Sequence, residues 1–179
     1  AYFEYAQSVK DCPDSMFYRY DNVITLRTFS KVYGLAGFRL GYGFGHENLI
    51  SNLMKVKLPF EPSFPAQIAG KSALKDDEYI IKSISLNNDG RKYLSYELSL
   101  LGFKYIPSVT NFITIKFKME LEALHFVEEM LKRGIIIRPL VGFGWPECVR
   151  ITIGTMEQNI FLIKTLKEIK EEFHGISIN

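Results

Sequence analysis

The C-terminal part of the chain alternates between short apolar runs and amphipathic stretches. Apolar residues at helical spacing predict two helices, and β-branched runs between them predict four short strands. In chain order the predicted elements are strands at 103–106 and 111–117, a helix at 120–132, strands at 135–138 and 148–153, and a helix at 156–172. Because strands that follow each other directly tend to pair antiparallel, this order predicts an α/β sandwich with an at least partly antiparallel sheet and helices on one face.

The first part of the chain has a different pattern. Its predicted elements are strands at 21–26 and 38–44 and helices at 46–57, 66–74 and 77–101, with Gly102 ending the last helix. Prolines at positions 59, 62 and 65 predict a loop or an extended hinge over 60–65. We therefore predict a domain boundary in this hinge or in the long helix after it, with residues 1–75 finishing a larger domain and residues 76–179 forming a small one.

The composition is that of a soluble globular protein, with 47% hydrophobic and 23% charged residues. The net charge of +2 and the lack of a basic run argue against a nucleic-acid surface, and no apolar stretch approaches the ~20 residues that span a bilayer. Cys12 and Cys148 lie far apart without metal-ligand spacing, which favours reduced thiols in a cytoplasmic protein with no metal site. The chain starts at Ala1 inside a patterned segment, so we expect a piece of a longer protein.

The segment RTFSKVYGLAGFRLGY, residues 27–42, collects residue types that bind phosphate esters and react with carbonyls. Thr28 and Ser30 offer hydroxyl donors just before Lys31, whose amine can form an imine. Arg39 follows a glycine-containing turn and offers a planar fork for phosphate oxygens. Taken singly, each residue is more often a solvated surface side chain. Their concentration between two predicted strands favours a phosphate site with a reactive lysine.

Two arginines stand in strands of otherwise apolar residues. Arg150 is flanked by Val149 and Ile151, and Arg138 ends the run of three isoleucines at 135–137. A buried charge is costly unless an anionic group meets it, so both are candidates for binding an anion. The alternative, which stays open for Arg138 above all, is a strand-end arginine that reaches water or a carboxylate side chain.

The run SKVYGLAGFRLGY, residues 30–42, strongly resembles the Schiff-base lysine motif of fold-type I, pyridoxal-phosphate-dependent aminotransferases, most closely that of their histidinol-phosphate branch. The resemblance extends over essentially the whole chain. It includes AYFEY at the start, KLPFEPSFPAQIAG at 57–70, and the C-terminal runs NFITIKF, GIIIRPL and VRITIGTMEQN. It implies the C-terminal half of such an enzyme, with the end of a large domain (a mixed, mostly parallel sheet with helices) followed by a small α/β sandwich domain.

The resemblance also implies a role for each candidate residue. Lys31 would form the internal aldimine with pyridoxal 5'-phosphate and then shuttle a proton between the substrate α-carbon and the cofactor C4′. The other implied contacts are to the cofactor phosphate by Thr28, Ser30 and Arg39, to its phenolic oxygen by Tyr2, and to the substrate's anionic group by Arg150 and Arg138. The implied reaction is transamination of L-histidinol phosphate with 2-oxoglutarate, in histidine biosynthesis, by a cytoplasmic homodimer.

Parts of the family pattern are missing or altered. The aspartate that pairs with the pyridine nitrogen would precede Ala1, so we expect the isolated chain to bind the cofactor weakly or not at all and to be inactive. The hinge carries Glu61 and Pro62 where many members have a polar, Asn-containing run. Three alternatives therefore stay open: an aromatic aminotransferase, a threonine-phosphate decarboxylase, and a non-catalytic fragment that lacks the N-terminal half of the site.

Overall fold

A computed structural model of the protein describes residues 1–7, 12–18 and 20–172. Within these residues the helices are α1 (Phe3–Ala6), α2 (Glu47–Val56), α3 (Phe64–Ala73), α4 (Asp77–Leu100), α5 (Glu120–Lys132) and α6 (Met156–Glu172). The strands are β1 (Ile24–Thr28), β2 (Gly41–Gly45), β3 (Tyr105–Ile106), β4 (Phe112–Lys116), β5 (Arg138–Pro139) and β6 (Cys148–Thr152). None of the helices in the described ranges has the length and apolar character needed to cross a membrane.

The chain divides into two compact units, Ala1–Ile84 and Ser85–Asn179. The division falls inside α4, the long helix that follows the hinge, whereas the residue ranges predicted from the sequence, 1–75 and 76–179, put the boundary just before this helix. Each unit has its own hydrophobic core, which is small in the first unit and large in the second. The α/β class predicted from the sequence is confirmed.

In the first unit, β1 and β2 pair antiparallel in a register that runs from Ile24↔Gly45 to Thr28↔Gly41. The two strands approach so closely at Gly41 that a Cβ there would lie 2.9 Å from the Arg27 carbonyl oxygen. The predicted strand at 38–44 begins only at Gly41, because a 3-10 turn over Ala36–Phe38 and a left-handed residue, Arg39, come first.

The hinge also differs from its prediction. Residues 60–65 were expected to be a loop, but α3 already begins at Phe64. Pro65 lies in the first helical turn, where its missing N–H leaves no hydrogen bond unmade. The Ser63 hydroxyl caps the helix by accepting a hydrogen bond from the Ala66 amide, at 3.4 Å.

In the second unit, a four-stranded antiparallel sheet has the order β3-β4-β6-β5. One face of the sheet packs on the helices and forms the main core. The core includes Ile113, Ile115, Val149 and Ile151 from the sheet and Leu94, Leu98, Phe126, Met130, Ile163 and Leu166 from α4, α5 and α6. Side chains alternate between the two faces of a strand. The strand residues that alternate with the four sheet residues of the core therefore point away from the helices.

The strand predicted at 135–138 is wrong for its first three residues. Gly134 adopts a left-handed backbone (φ 80°) and the Ile135 amide donates to the Met130 carbonyl at 2.9 Å, so this segment completes the end of α5. Ile137 is nevertheless buried in the core. Pairing with β6 therefore starts only at Arg138.

The C-terminal turn of α5 carries a local charge cluster. The buried Glu129 carboxylate accepts hydrogen bonds from Lys132 at 2.6 Å and from Arg133 at 2.7 Å. These hydrogen bonds lower the pKa of Glu129 to about 2, and the same contact raises the pKa of Lys132. The carboxylate thus stays ionised well below neutral pH.

The turn that leads from β6 into α6 is fixed by side-chain hydrogen bonds. Thr155 and Gln158 form a capping box, in which the Gln158 side chain accepts from the Thr155 amide at 2.9 Å and the Thr155 hydroxyl accepts from the Gln158 amide at 3.3 Å. Asn159 accepts from the Gly154 amide at 3.0 Å and donates to the Gly154 carbonyl at 3.1 Å. This Asn159 side chain lies directly against Gly90 of α4.

Candidate active site

Lys31 stands at the start of a tight turn that follows β1. Its carbonyl accepts a hydrogen bond from the Gly34 amide at 2.9 Å, and Gly34 has the positive φ of 68° that this turn requires. Phe29 and Val32, on either side of Lys31, are buried, which fixes the backbone. The Lys31 side chain is exposed. The turn therefore presents an amine at the surface of the first unit from a backbone that the core holds in place.

Tyr2 lies beside this amine. The Lys31 Nζ is 5.5 Å from the centre of the Tyr2 ring, a distance at which a cation is attracted to an aromatic face. Tyr2 precedes α1, which is anchored through the buried residues Glu4, Tyr5 and Ala6. The structure therefore brings together these two residues of the sequence-based set.

The two candidate hydroxyl residues flank the buried Phe29. The Thr28 hydroxyl accepts a hydrogen bond from the Ser30 amide at 3.1 Å, so the end of β1 is closed by a side-chain turn. Both residues are partly buried. Thr28, Ser30 and Lys31 are consequently held close together at the end of the strand.

Arg39 has a different setting. Its backbone is left-handed (φ 52°, ψ 46°) and its guanidinium donates to the Ala36 carbonyl at 2.7 Å. It lines a cavity of about 630 Å³ together with hinge residues that include Lys57, Phe60 and Glu61. Lys31 is not among the described residues that line this cavity. The structure thus places Arg39 next to the hinge residues.

Arg138 and Arg150 lie side by side in the second unit. They are directly paired across β5 and β6, so their side chains share the sheet face that points away from the helices. The Arg150 guanidinium carbon lies 5.1 Å from the centre of the Phe112 ring, and that of Arg138 lies 5.8 Å from the centre of the Phe143 ring. The Nε of Arg150 is buried, and no described residue accepts a hydrogen bond from it.

Arg27 contributes to the local structure around Lys31, although it is not among the residues predicted from the sequence. Its guanidinium forms a 2.5 Å ion pair with Asp14 and lies 3.5 Å from the centre of the Phe3 ring, with 8% of the side chain exposed. It therefore ties α1 and the segment before β1 to the strand that leads to Lys31. The signal was available, because Arg27 interrupts an apolar strand in the same way as Arg150.

A cluster of aromatic rings behind the lysine turn was also missed. The Phe29 ring packs against Tyr33 and Tyr42, at centre-to-centre distances of 5.0 and 5.3 Å. Burial, and then the neighbouring Tyr42, raise the pKa of the Tyr33 hydroxyl to about 12. The composition shows that aromatic residues are abundant, but it cannot show which rings contact each other, because this depends on the pairing of β1 with β2.

Comparison with known proteins gives consistent findings. The family model for aminotransferase class I and II matches residues 5–166. The chain is 43% identical over 173 residues to histidinol-phosphate aminotransferase 2 of Carboxydothermus hydrogenoformans, covering 96% of this chain and 47% of that protein. It is 42% identical over 171 residues to histidinol-phosphate aminotransferase of Brevibacillus brevis, covering 94% and 46%. The chain thus spans about half the length of the curated relatives that it matches.

Among solved structures, the chain is similar to that of histidinol-phosphate aminotransferase from Sinorhizobium meliloti in complex with pyridoxal-5'-phosphate. The TM-score is 0.85 at 27% sequence identity, and the match covers 97% of this chain and 48% of the other. The similarity therefore extends over both compact units.

Proposed function

Because this chain belongs to the aminotransferase class I and II family, we propose that it supplies the lysine-bearing part of a pyridoxal-phosphate-dependent histidinol-phosphate aminotransferase. The proposed reaction moves the amino group of L-histidinol phosphate to 2-oxoglutarate. The observation that carries the proposal is the turn after β1, where an exposed lysine amine follows two hydroxyl residues and lies beside the Tyr2 ring.

The donor set of this chain fits the proposed cofactor. An aldehyde that carries a phosphate ester needs an amine and several hydrogen-bond donors for the phosphate oxygens, and Lys31, Thr28 and Ser30 offer these types within four residues. Arg39 is the further proposed phosphate contact. A side chain on Gly37, in the same loop, would meet nothing within 4 Å, so this backbone is open to a bound molecule.

When bound, pyridoxal phosphate supplies an electron sink for the negative charge that develops at the substrate carbon. The chain's own residues have the remaining roles in the proposal. The Lys31 amine would take a proton from the substrate carbon that bears the amino group and would deliver it to the cofactor carbon C4′. The Tyr2 hydroxyl donates a hydrogen bond to the cofactor's phenolic oxygen. The buried residues of α1 hold Tyr2 in position for this contact.

The substrate anion is assigned to the two arginines of the second unit. An unpaired, buried guanidinium N–H is costly, so the Arg150 Nε supports a role in which an anionic group accepts its hydrogen bond. A second guanidinium directly across the strand pair suits a phosphate, which carries more negative charge than a carboxylate. This pairing favours a phosphorylated donor over an aromatic amino acid.

Two further proposals concern the environment of the whole protein. We propose a homodimer, which sedimentation equilibrium of the full-length protein tests directly. We also propose a cytoplasmic location, supported by Cys12 and Cys148, which are both free thiols in the structure. A fractionation experiment with the native host tests the latter.

The central experiment is a half-reaction with the full-length protein loaded with pyridoxal phosphate. We expect L-histidinol phosphate to convert the cofactor absorbance to that of the pyridoxamine form, and 2-oxoglutarate to reverse it. Conversion by phenylalanine but not by histidinol phosphate would instead identify an aromatic aminotransferase. Release of carbon dioxide from threonine phosphate would identify the decarboxylase.

The role of Lys31 has its own readout. Borohydride reduction of the loaded protein followed by peptide mass spectrometry should place the cofactor adduct on Lys31. The Lys31→Ala variant should lose the adduct, and Lys71→Ala, which changes an exposed lysine of the same unit, should keep it. An adduct that persists in Lys31→Ala would assign the chemistry to another amine.

A further inference from the structure

The two arginines on the open face of the second sheet are each paired with an aromatic ring. In the register of β4 with β6, Thr114 is directly opposite Arg150, and Phe112 is the diagonal neighbour on the same face. Phe143 ends the 3-10 turn Val141–Phe143 that follows β5. Neither ring belongs to the core on the helix-covered face. Packing in that core therefore does not explain why the two rings lie beside the arginines.

The electrostatics of this face pose a problem for the fold. Arg138 and Arg150 are like charges directly opposite each other on neighbouring strands, an arrangement that destabilises a sheet. Among the described residues of this unit, 85–172, no carboxylate forms an ion pair with either of them. Other basic residues of the unit, such as Lys116 and Lys167, do have acidic partners. Within these residues, the arginine pair therefore lacks the acidic partner that the two lysines have.

An aromatic ring and a carboxylate hold a guanidinium in different ways. A carboxylate accepts the N–H groups of the fork, so it would compete with any anionic ligand. A ring face attracts the cation from one side of its plane and leaves the N–H groups in that plane free. Both guanidinium carbons lie within the ~6 Å at which this attraction is significant.

We propose that Phe112 is a positioning residue, which holds the Arg150 guanidinium by its ring face so that the fork stays available to the anionic group of the substrate. Phe143 has the same role for Arg138, with a smaller effect because its side chain is 65% exposed and the ring is farther from the cation. This inference rests on the proposed function, since it takes the substrate anion as the ligand of the arginine pair.

The test compares ring variants in the full-length protein loaded with its cofactor. Phe112→Leu removes the ring face and keeps an apolar side chain, whereas Phe112→Tyr keeps the ring face. Phe161→Leu is the matched control, because it removes a half-exposed ring from α6 of the same unit. The KM for L-histidinol phosphate and kcat are measured for each variant.

We expect Phe112→Leu to raise KM by about 5- to 30-fold, the factor that corresponds to a cation–π interaction of ~1–2 kcal/mol, with little change in kcat. Phe143→Leu should raise KM by a smaller factor, and Phe112→Tyr and Phe161→Leu should leave it near the wild-type value. A Phe112→Leu variant with unchanged KM overturns the proposal. So does a Phe112→Tyr variant that is as impaired as Phe112→Leu, because the ring face is then irrelevant.

A second readout does not depend on turnover. The guanidinium carbon of Arg150 lies 5.1 Å from the centre of the Phe112 ring. The proton NMR signal of the Arg150 Nε–H group, assigned with an Arg150→Lys variant, should therefore move on Phe112→Leu and not on Phe161→Leu. Titration with inorganic phosphate should shift this signal at lower concentration in the wild-type protein than in Phe112→Leu. Equal titration midpoints overturn the proposal. If the wild-type protein instead fails to turn over histidinol phosphate, the proposed function fails, and the NMR titration still decides whether Phe112 positions Arg150 for an anion.

Discussion

The contact between Gly90 of α4 and the turn before α6 makes a quantitative prediction for Gly90→Ala. Gly90 is buried, and a Cβ at this position would lie 2.6 Å from Asn159 Nδ2 and 2.7 Å from Ile153 Cγ2. Neither neighbour can retreat easily. Ile153 is part of the core, and Asn159 is held by two hydrogen bonds to Gly154. The added methyl group therefore has to displace packed atoms.

The size of the change in the free energy of unfolding follows from one stabilising and two destabilising effects. Replacing a helical glycine by alanine stabilises a helix by about 1 kcal/mol. Inserting a methyl group into a packed core costs about 1–3 kcal/mol, and displacing Asn159 costs a further ~1 kcal/mol for a broken hydrogen bond. The losses exceed the gain, so the free energy of unfolding should fall by roughly 1–3 kcal/mol.

Urea unfolding of the purified protein, followed by circular dichroism, measures this change as a lower midpoint. Asp89→Ala is the control, because it makes a change on the exposed side of the same helix and should stay within about 0.5 kcal/mol of the wild type. Gly90→Ala should also cost less when combined with Asn159→Ala, since the truncated side chain no longer meets the new methyl group. A Gly90→Ala protein that is as stable as the wild type, or more stable, would refute the close contact.

Two further predictions concern ionisable groups of the second unit. The pKa of Glu129 is lowered to about 2, so its contribution to stability is complete above the usual value of 4.5 and is lost as the pH falls towards 2. Glu129→Gln should therefore lower the urea midpoint at pH 7 by more than at pH 3, and a difference that is independent of pH, or equal to that of the exposed Glu128→Gln, would contradict the assignment. Burial raises the pKa of the Cys148 thiol, so iodoacetamide should modify Cys12 first in the native protein and Cys148 only after addition of denaturant; early modification of Cys148 would contradict its burial.

The fold was predictable from sequence wherever local pattern and tertiary packing agree. The bounds of α5 and α6 and the end of α4 before Gly102 follow from helical periodicity and from glycine as a terminator. Pattern failed at residues 135–137, where three isoleucines suggest a strand. There the Ile135 amide donates a hydrogen bond to the Met130 carbonyl at the end of α5, and the segment does not pair with the sheet.

The candidate site was predictable as a set of residue types, but its arrangement was not. A sequence shows that Lys31, Thr28 and Ser30 are neighbours, and the structure adds that the lysine lies beside Tyr2. The sequence could not show that Arg39 faces the hinge, because this depends on a left-handed backbone that arginine rarely adopts. The rings beside the two arginines were equally hidden, since they depend on strand register and on a turn after β5.

The backbone of Arg39 sets the demands of folding against those of chemistry. A left-handed conformation costs a non-glycine residue about 1–2 kcal/mol, so glycine is the residue that the backbone prefers at this position. The proposed contact to the cofactor phosphate requires arginine. Arg39→Gly would then yield a protein that is more stable and less able to hold its cofactor. Under the proposed role, selection for thermal stability alone would remove this residue, and Arg39 would mark a position where activity has prevailed over stability.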